Sequence, residues 1–147
     1  MGKVHKLAAL SMVTAMSTDA NKQAALALLR ASALHDGPAF EALMHPDATY
    51  WVIGQKHLFP VSGEKTRAEI CAYMASPSIF GDTGHSEIKT LTAEDDRVAV
   101  ESEFTGTLPD GRVYRNVYHY LMWFKDGQVL RLKEYLDTQS AVEFFAT

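Results

Sequence analysis

Near residue 85 the chain changes its hydrophobic period, and no other sequence feature constrains the fold so tightly. Residues 86–91, 98–108, 112–124 and 129–137 alternate with period two, and polar turns containing Asp95 and Asp96, Pro109 to Gly111, and Asp126 with Gly127 separate them. Such alternation marks strands, and connections this short join antiparallel neighbours. Upstream the period is helical. Ala24, Ala25, Leu28, Leu29, Ser32 and Ala33 recur along a helix expected from Thr18 or Asp19 to about residue 35, where Gly37 and Pro38 end it. A short helix over 39–44, a strand over 49–53, a loop over 56–63 and a third helix over 64–75 follow, with a last helical turn over 138–145. Helices first and an antiparallel meander afterwards predict an α+β domain, its helices laid on one face of a curved sheet.

A length of 147 residues suits one domain, expected over 19–147 and preceded by an extension over 1–18. Lys3 and Lys6 precede a short apolar run, but Ser11 and Thr14 interrupt it, and Met16 stands as a second candidate start before Ser17, Thr18 and Asp19. A net charge of −4 argues against nucleic acid or an anionic membrane as partner. No apolar run reaches the roughly 20 residues of a membrane span. The lone Cys71 excludes an intrachain disulfide, fits a reducing, cytoplasmic location, and reads as a buried packing thiol.

Several chemistries are excluded by the absence of their motifs. The chain has no Gly-x-Gly-x-x-Gly, phosphate loop, Gly-x-Ser-x-Gly or His-Glu-x-x-His. Histidines 5, 35, 45, 57, 85 and 119 are scattered singly. The reading therefore includes no cofactor and no metal.

Acidic residues on neighbouring strands remain. In the stretch QVLRLKEYLD, Leu130, Leu132 and Leu136 share the buried phase, and Glu134 falls among them. An unpaired carboxylate in a core costs several kcal/mol, so Glu134 must be paired, protonated or exposed in a cavity. Glu101 and Glu103 share one phase of their strand, opposite Val98, Val100 and Phe104, which by simple alternation sends both acids to solvent. The next strand is apolar or aromatic on both sides: Tyr114, Asn116, Tyr118, Tyr120, Met122 and Phe124 on one, Val117, His119, Leu121 and Trp123 on the other. Both sheet faces need a cover. A second subunit on the outer face would place Val98, Val100 and Phe104 at a dimer contact and turn Glu101 and Glu103 into a cavity.

The helical start, the segment HPDATYWVIG, the turn LPDG, residues 112–118 and above all DGQVLRLKEYLD resemble the SnoaL-like branch of the nuclear transport factor 2 superfamily over about residues 19–145. The resemblance implies a cone-shaped domain with a curved antiparallel or mixed sheet, N-terminal helices on its concave face, and a pocket for a small molecule. It leaves the activity open, since cyclases, isomerases, epoxide hydrolases, dehydratases and pure binding proteins share the fold. In the epoxide hydrolases of this family an Asp-Arg-Asp relay works with a Tyr and an Asn that hold water. By that likeness Glu103 takes one acid position, Glu134 the other, and Tyr50 the tyrosine. Glu101 replaces the arginine and Val52 the asparagine, so the relay is broken.

Two readings follow. One is a cofactor-independent acid–base enzyme (isomerase, cyclase, dehydratase or hydrolase) acting on a small apolar or aromatic, oxygenated molecule. Glu134, Glu103, Glu101 and Tyr50 would be catalytic, with Trp51, Asn116, Tyr118, Tyr120, Met122 and Leu132 binding substrate. The other is a non-catalytic ligand-binding or dimerisation module of the same fold. Both include a homodimer.

Overall fold

The computed structural model describes residues 2–146, with side chains described from Thr18 onward. Helices α1 (Gly2–Leu34) and α2 (Gly37–Leu43) lead into strand β1 (Met44–Val52), then β2 (Gly63–Thr66) and α3 (Arg67–Ala75). The meander follows as β3 (His85–Glu94), β4 (Arg97–Thr107), β5 (Val113–Lys125) and β6 (Gln128–Leu136), and α4 (Thr138–Phe145) closes the fold. The sheet is six-stranded, in order β2-β1-β6-β5-β4-β3, with β1 parallel to β6 and every other pair antiparallel. It is curved and unclosed, the helices lie on its concave face, and the α+β expectation stands.

Local chemistry accounts for the joints. Left-handed His35 ends α1, and Asp36 caps α2 by accepting from the Ala39 amide at 3.2 Å. Gly37 is needed for packing, because a Cβ there would lie 2.8 Å from Cα of Ala75 at the end of α3. Asp126 and Gly127 both have positive φ in the two-residue turn between Lys125 and Gln128, the type I′ geometry of a tight hairpin.

Several expectations change, beginning with the first strand, which starts at Met44 and not at residue 49. Helix α1 is continuous through Thr18 and Asp19, which therefore do not start it. Residues 63–66 form a strand, and the third helix begins only at Arg67, where Thr66 and Glu69 make a reciprocal capping box. On β6, Phe124 pairs with Val129 and Trp123 with Arg131, so Leu130 is an extra residue in the ladder. That bulge reverses the phase below it, and Val129, which alternation opposite Leu130 sends to the outer face, is fully buried.

The core sits at one end of the concave face, where α1 and α2 bring Leu28, Leu29 and Phe40 against Met44, Val98, Val100, Met122, Val129 and Leu132. Val98 and Val100 have no exposed surface, which removes them from the proposed dimer contact. Cys71 is half-buried against this core, less enclosed than expected.

Candidate active site

Beyond the core the helices no longer fill the cone, and a cavity of about 890 Å³ opens between sheet and helices. Tyr50, Val52, Phe104, Tyr114, Tyr118, Tyr120, Glu134 and Leu136 line it from the sheet. Opposite them stand Ala33 and His35 at the end of α1, Ile70, Tyr73 and Met74 of α3, and Ala141 and Phe145 of α4. Leu58, Phe59, Val61, Lys56 and Lys65 border it beside β2, and Ile79 and Phe80 beside β3.

Glu134 and Tyr50 meet inside because their strands are parallel neighbours, Tyr50 pairing with Leu132 and Val52 with Glu134. The Tyr50 hydroxyl donates a short hydrogen bond to Oε2 of Glu134. Oε1 has no protein partner among the described residues. Burial raises the Glu134 carboxyl above its ordinary range, opposed by the Tyr50 hydrogen bond and by the positive charge of Lys65. Tyr50 is itself held well above the ordinary phenol value by burial and by the charge of Glu134, and so stays a donor.

A second polar chain approaches from β5. Asn116 donates through Nδ2 to the Tyr114 hydroxyl at 2.7 Å and to the Asp137 carbonyl at 2.9 Å, while its Oδ1 accepts from the Val117 amide at 2.7 Å. The Tyr114 and Tyr118 hydroxyls lie 3.0 Å apart. With Asn116 donating to it, Tyr114 can pass its own proton toward Tyr118, which leaves the Tyr118 hydroxyl hydrogen for a ligand. Burial first, and then Glu134, raise Tyr118 and keep that hydrogen in place.

An aromatic wall completes the pocket. Phe80 stacks on Tyr114 at 5.7 Å and Tyr118 on Tyr120 at 5.7 Å, with Phe104 and Phe145 packed at angles around them. Gly106 admits Phe80, since a Cβ on that glycine would lie 2.6 Å from its ring.

The sequence-predicted residues divide. Glu134, Tyr50, Tyr118 and Tyr120 line the cavity. Met122 and Leu132 face the same way but are sealed in the core, and Asn116 is fully engaged in holding Tyr114 and the end of β6. Trp51 lies on the outer face, 5.4 Å from Tyr135 and with the Lys133 ammonium 5.1 Å from its ring. Glu101 and Glu103 are outside as well. Glu101 accepts from the Thr90 hydroxyl at 3.1 Å, and Glu103 lies 3.8 Å from the Lys89 ammonium. The inward positions of β4 are Val98, Val100, Ser102 and Phe104, so the simple alternation holds and the turn of both acids into the cavity does not occur.

Sequence reasoning missed Lys65, Phe80, Phe104, Tyr114 and Phe145. The Thr-x-x-Glu signature at Thr66 to Glu69 would have moved the helix start past Lys65 and freed it for a strand. Among the described residues no three His, Cys, Asp or Glu side chains gather as metal ligands.

The family model of the SnoaL-like domain matches residues 25–132. The chain belongs to the SnoaL-like family. No curated protein sequence matches it. Solved structures with the same fold include Bal32a from a soil-derived mobile gene cassette, 20% identical with a TM-score of 0.73 over 87% of this chain and 98% of that one. TerC co-crystallised with polyporic acid is 22% identical, with a TM-score of 0.73 over 87% and 99% of the two chains. An M. tuberculosis LEH-like epoxide hydrolase is 15% identical, with a TM-score of 0.71 over 86% and 89%. The resemblance put the second acid at Glu103 and the arginine position at Glu101, and both side chains stand on the outer face of β4, with Val100 and Ser102 inward beside them.

Proposed function

We propose that this SnoaL-like protein is a cofactor-independent acid–base enzyme of isomerase, cyclase, dehydratase or hydrolase type. Its substrate is a small, largely apolar, oxygenated molecule, and Glu134 carries the proton. The observation behind this reading is a single carboxyl, desolvated in an apolar cavity, fixed on one oxygen by Tyr50 and open on the other. A raised pKa makes the ionised carboxylate a stronger base and keeps its acid form populated nearer to neutral pH, which suits a group that takes a proton from one atom and returns it to another. The Tyr118 hydroxyl, backed by Tyr114 and Asn116, is placed to donate to an oxygen that gains negative charge as the proton leaves. Glu101 and Glu103 take no part.

Polyporic acid in TerC and epoxide hydrolysis in the M. tuberculosis relative support an oxygenated small molecule as the ligand of this cavity. Solvent exchange tests the reading without a known substrate. In D2O the protein is expected to catalyse deuterium incorporation next to the carbonyl of an apolar enolisable ketone such as 2-tetralone. Glu134→Gln should lower that rate by about 10² or more, while ketone binding persists. Binding without exchange across a panel of such ketones would remove the isomerase and cyclase forms of the reading and favour a ligand-binding module.

The outer sheet face carries half-exposed Val113 and Val117 beside Leu121, Trp123 and Tyr135, and the reading includes its cover by a second copy. Light scattering showing a monomer at micromolar concentration would remove that part. The free thiol of Cys71 fits the reducing, cytoplasmic setting that the reading assumes. No helix among the described residues is long and apolar enough to cross a membrane.

A further inference from the structure

Lys65 has a place in the cavity that the acid–base reading does not use. It pairs across β1 and β2 with Tyr50, and antiparallel partners project to the same face, so its stem enters the cone beside the tyrosine that holds Glu134. An ammonium has three hydrogens to donate. Here Val61 O accepts one, and Gly63 O lies at 3.5 Å, which leaves at least one donor without a protein acceptor on a residue that lines the cavity.

Among the described residues no carboxylate is paired with it directly. Glu69 is committed to the start of α3, accepting from the Thr66 amide at 2.8 Å and the Thr66 hydroxyl at 3.1 Å. Glu64, paired across the strands with outward-facing Trp51, borders the cavity without an ion pair to Lys65. Lys56, a second cation on the same rim, acts on Lys65 with the same sign. Glu134 is the one carboxyl deep in the cavity, and burial favours its neutral form. Glu64 and Glu69 share the rim with Lys56 and Lys65, yet among the described residues neither makes an ion pair with the Lys65 ammonium, so its unused hydrogen is left for a ligand.

We propose that Lys65 is an anion anchor, so that the ligand of this cavity is an apolar acid with one ionised oxygen, a carboxylate or an acidic enol or phenol, seated between Lys65 and Glu134. This rests on reading the cavity as a ligand site and adds the chemical class that the site selects. The apolar body of such a molecule lies along the wall of Phe80, Tyr118 and Tyr120, and its charged end meets the ammonium.

The competing role for Lys65 is a strap that fixes the loop before β2 through Val61 O, and the test must separate the two. The full chain is titrated with 2-naphthoate and with neutral, nearly isosteric 2-naphthamide, following tryptophan fluorescence or heat. The expected result is a preference for the anion of about tenfold or more, the scale of one charge-assisted hydrogen bond. Lys65→Met should bring the two affinities within about twofold of each other by weakening naphthoate alone, and Lys65→Arg should keep part of the preference. A strap predicts instead that Lys65→Met weakens both probes equally. That result, equal affinities in the unaltered protein, or no naphthoate binding at millimolar concentration would overturn the proposal. Failure of the acid–base reading shows elsewhere, as deuterium exchange unaffected by Glu134→Gln, and Glu134→Gln is expected to retain the preference for naphthoate.

Discussion

Met122 and Tyr118 lie on one strand and point to one face, yet they belong to different environments. Met122 is fully buried between Val98 and Leu132, its partners across β4 and β6, whereas Tyr118 looks into the 890 Å³ cavity beside Glu134. The sheet is equally inward at both levels. What differs is the layer above it, because α1 and α2 fill the cone at one end and stop short at the other. A helix that stops early creates a cavity by leaving space, and the same strand then supplies packed core at one level and cavity lining at another.

The largest effect expected from this contrast is at Glu134. Glu134→Gln should reduce proton exchange by about 10² or more while the fold persists. Its stability signature has a definite sign. Burial raises the folded-state pKa of Glu134 above the unfolded value of about 4.3, so between these two values the folded chain binds more protons than the unfolded one. Its stabilising share is complete below the unfolded pKa and is lost as pH rises through the folded pKa. Denaturant titrations of the two proteins should therefore show Glu134→Gln gaining on the unaltered chain as pH rises from 4 toward 8. A difference that stays flat would mean that the carboxyl is not desolvated.

Within β5 the contrast can be tested directly. Met122→Ala leaves a closed hole in packed core and should cost about 2–5 kcal/mol in urea unfolding. Tyr118→Phe removes only a hydroxyl that faces the cavity, so it should change stability by less than about 1 kcal/mol and slow exchange about tenfold by removing a donor. If Met122→Ala is nearly neutral, the cavity reaches further down the cone than the structure shows.

The sequence carried the two halves of this contrast unequally. Period two gave β3 to β6 and the inward side of β5, because alternation reports directly which face a side chain takes. It could not separate Met122 from Tyr118, since depth along a strand depends on where a helix ends in three dimensions. It misassigned Val129 because one extra residue, Leu130, reverses the phase, and a bulge leaves no mark on composition. Lys65 was hidden for a local reason: a helix start placed three residues early absorbed the strand that carries it. Glu134 was legible because a carboxylate among leucines violates the pattern, and an inward carboxylate requires a partner or a cavity, of which it has both.

The smallest expected effect is the one that most sharpens the picture of the two faces. Glu101 and Glu103 are one residue to either side of Ser102, so they share its strand but not its side. Their partners are on the outer surface, Thr90 at 3.1 Å from Glu101 and Lys89 at 3.8 Å from Glu103, and Lys89 is held more closely by Glu87 at 2.8 Å. Exposed pairs of this kind contribute little, because solvent screens the attraction and two long side chains lose freedom in forming it. The double variant Glu101→Gln with Glu103→Gln should therefore keep its melting temperature within about 2 °C and its exchange rate within about twofold. A rate loss comparable to that of Glu134→Gln would mean that β4 presents its other face to the cavity. The register that pairs Ser102 with Tyr118 and Glu103 with outward-facing Val117 would then have to slip by one residue, carrying Val98 and Val100 out of the core with it.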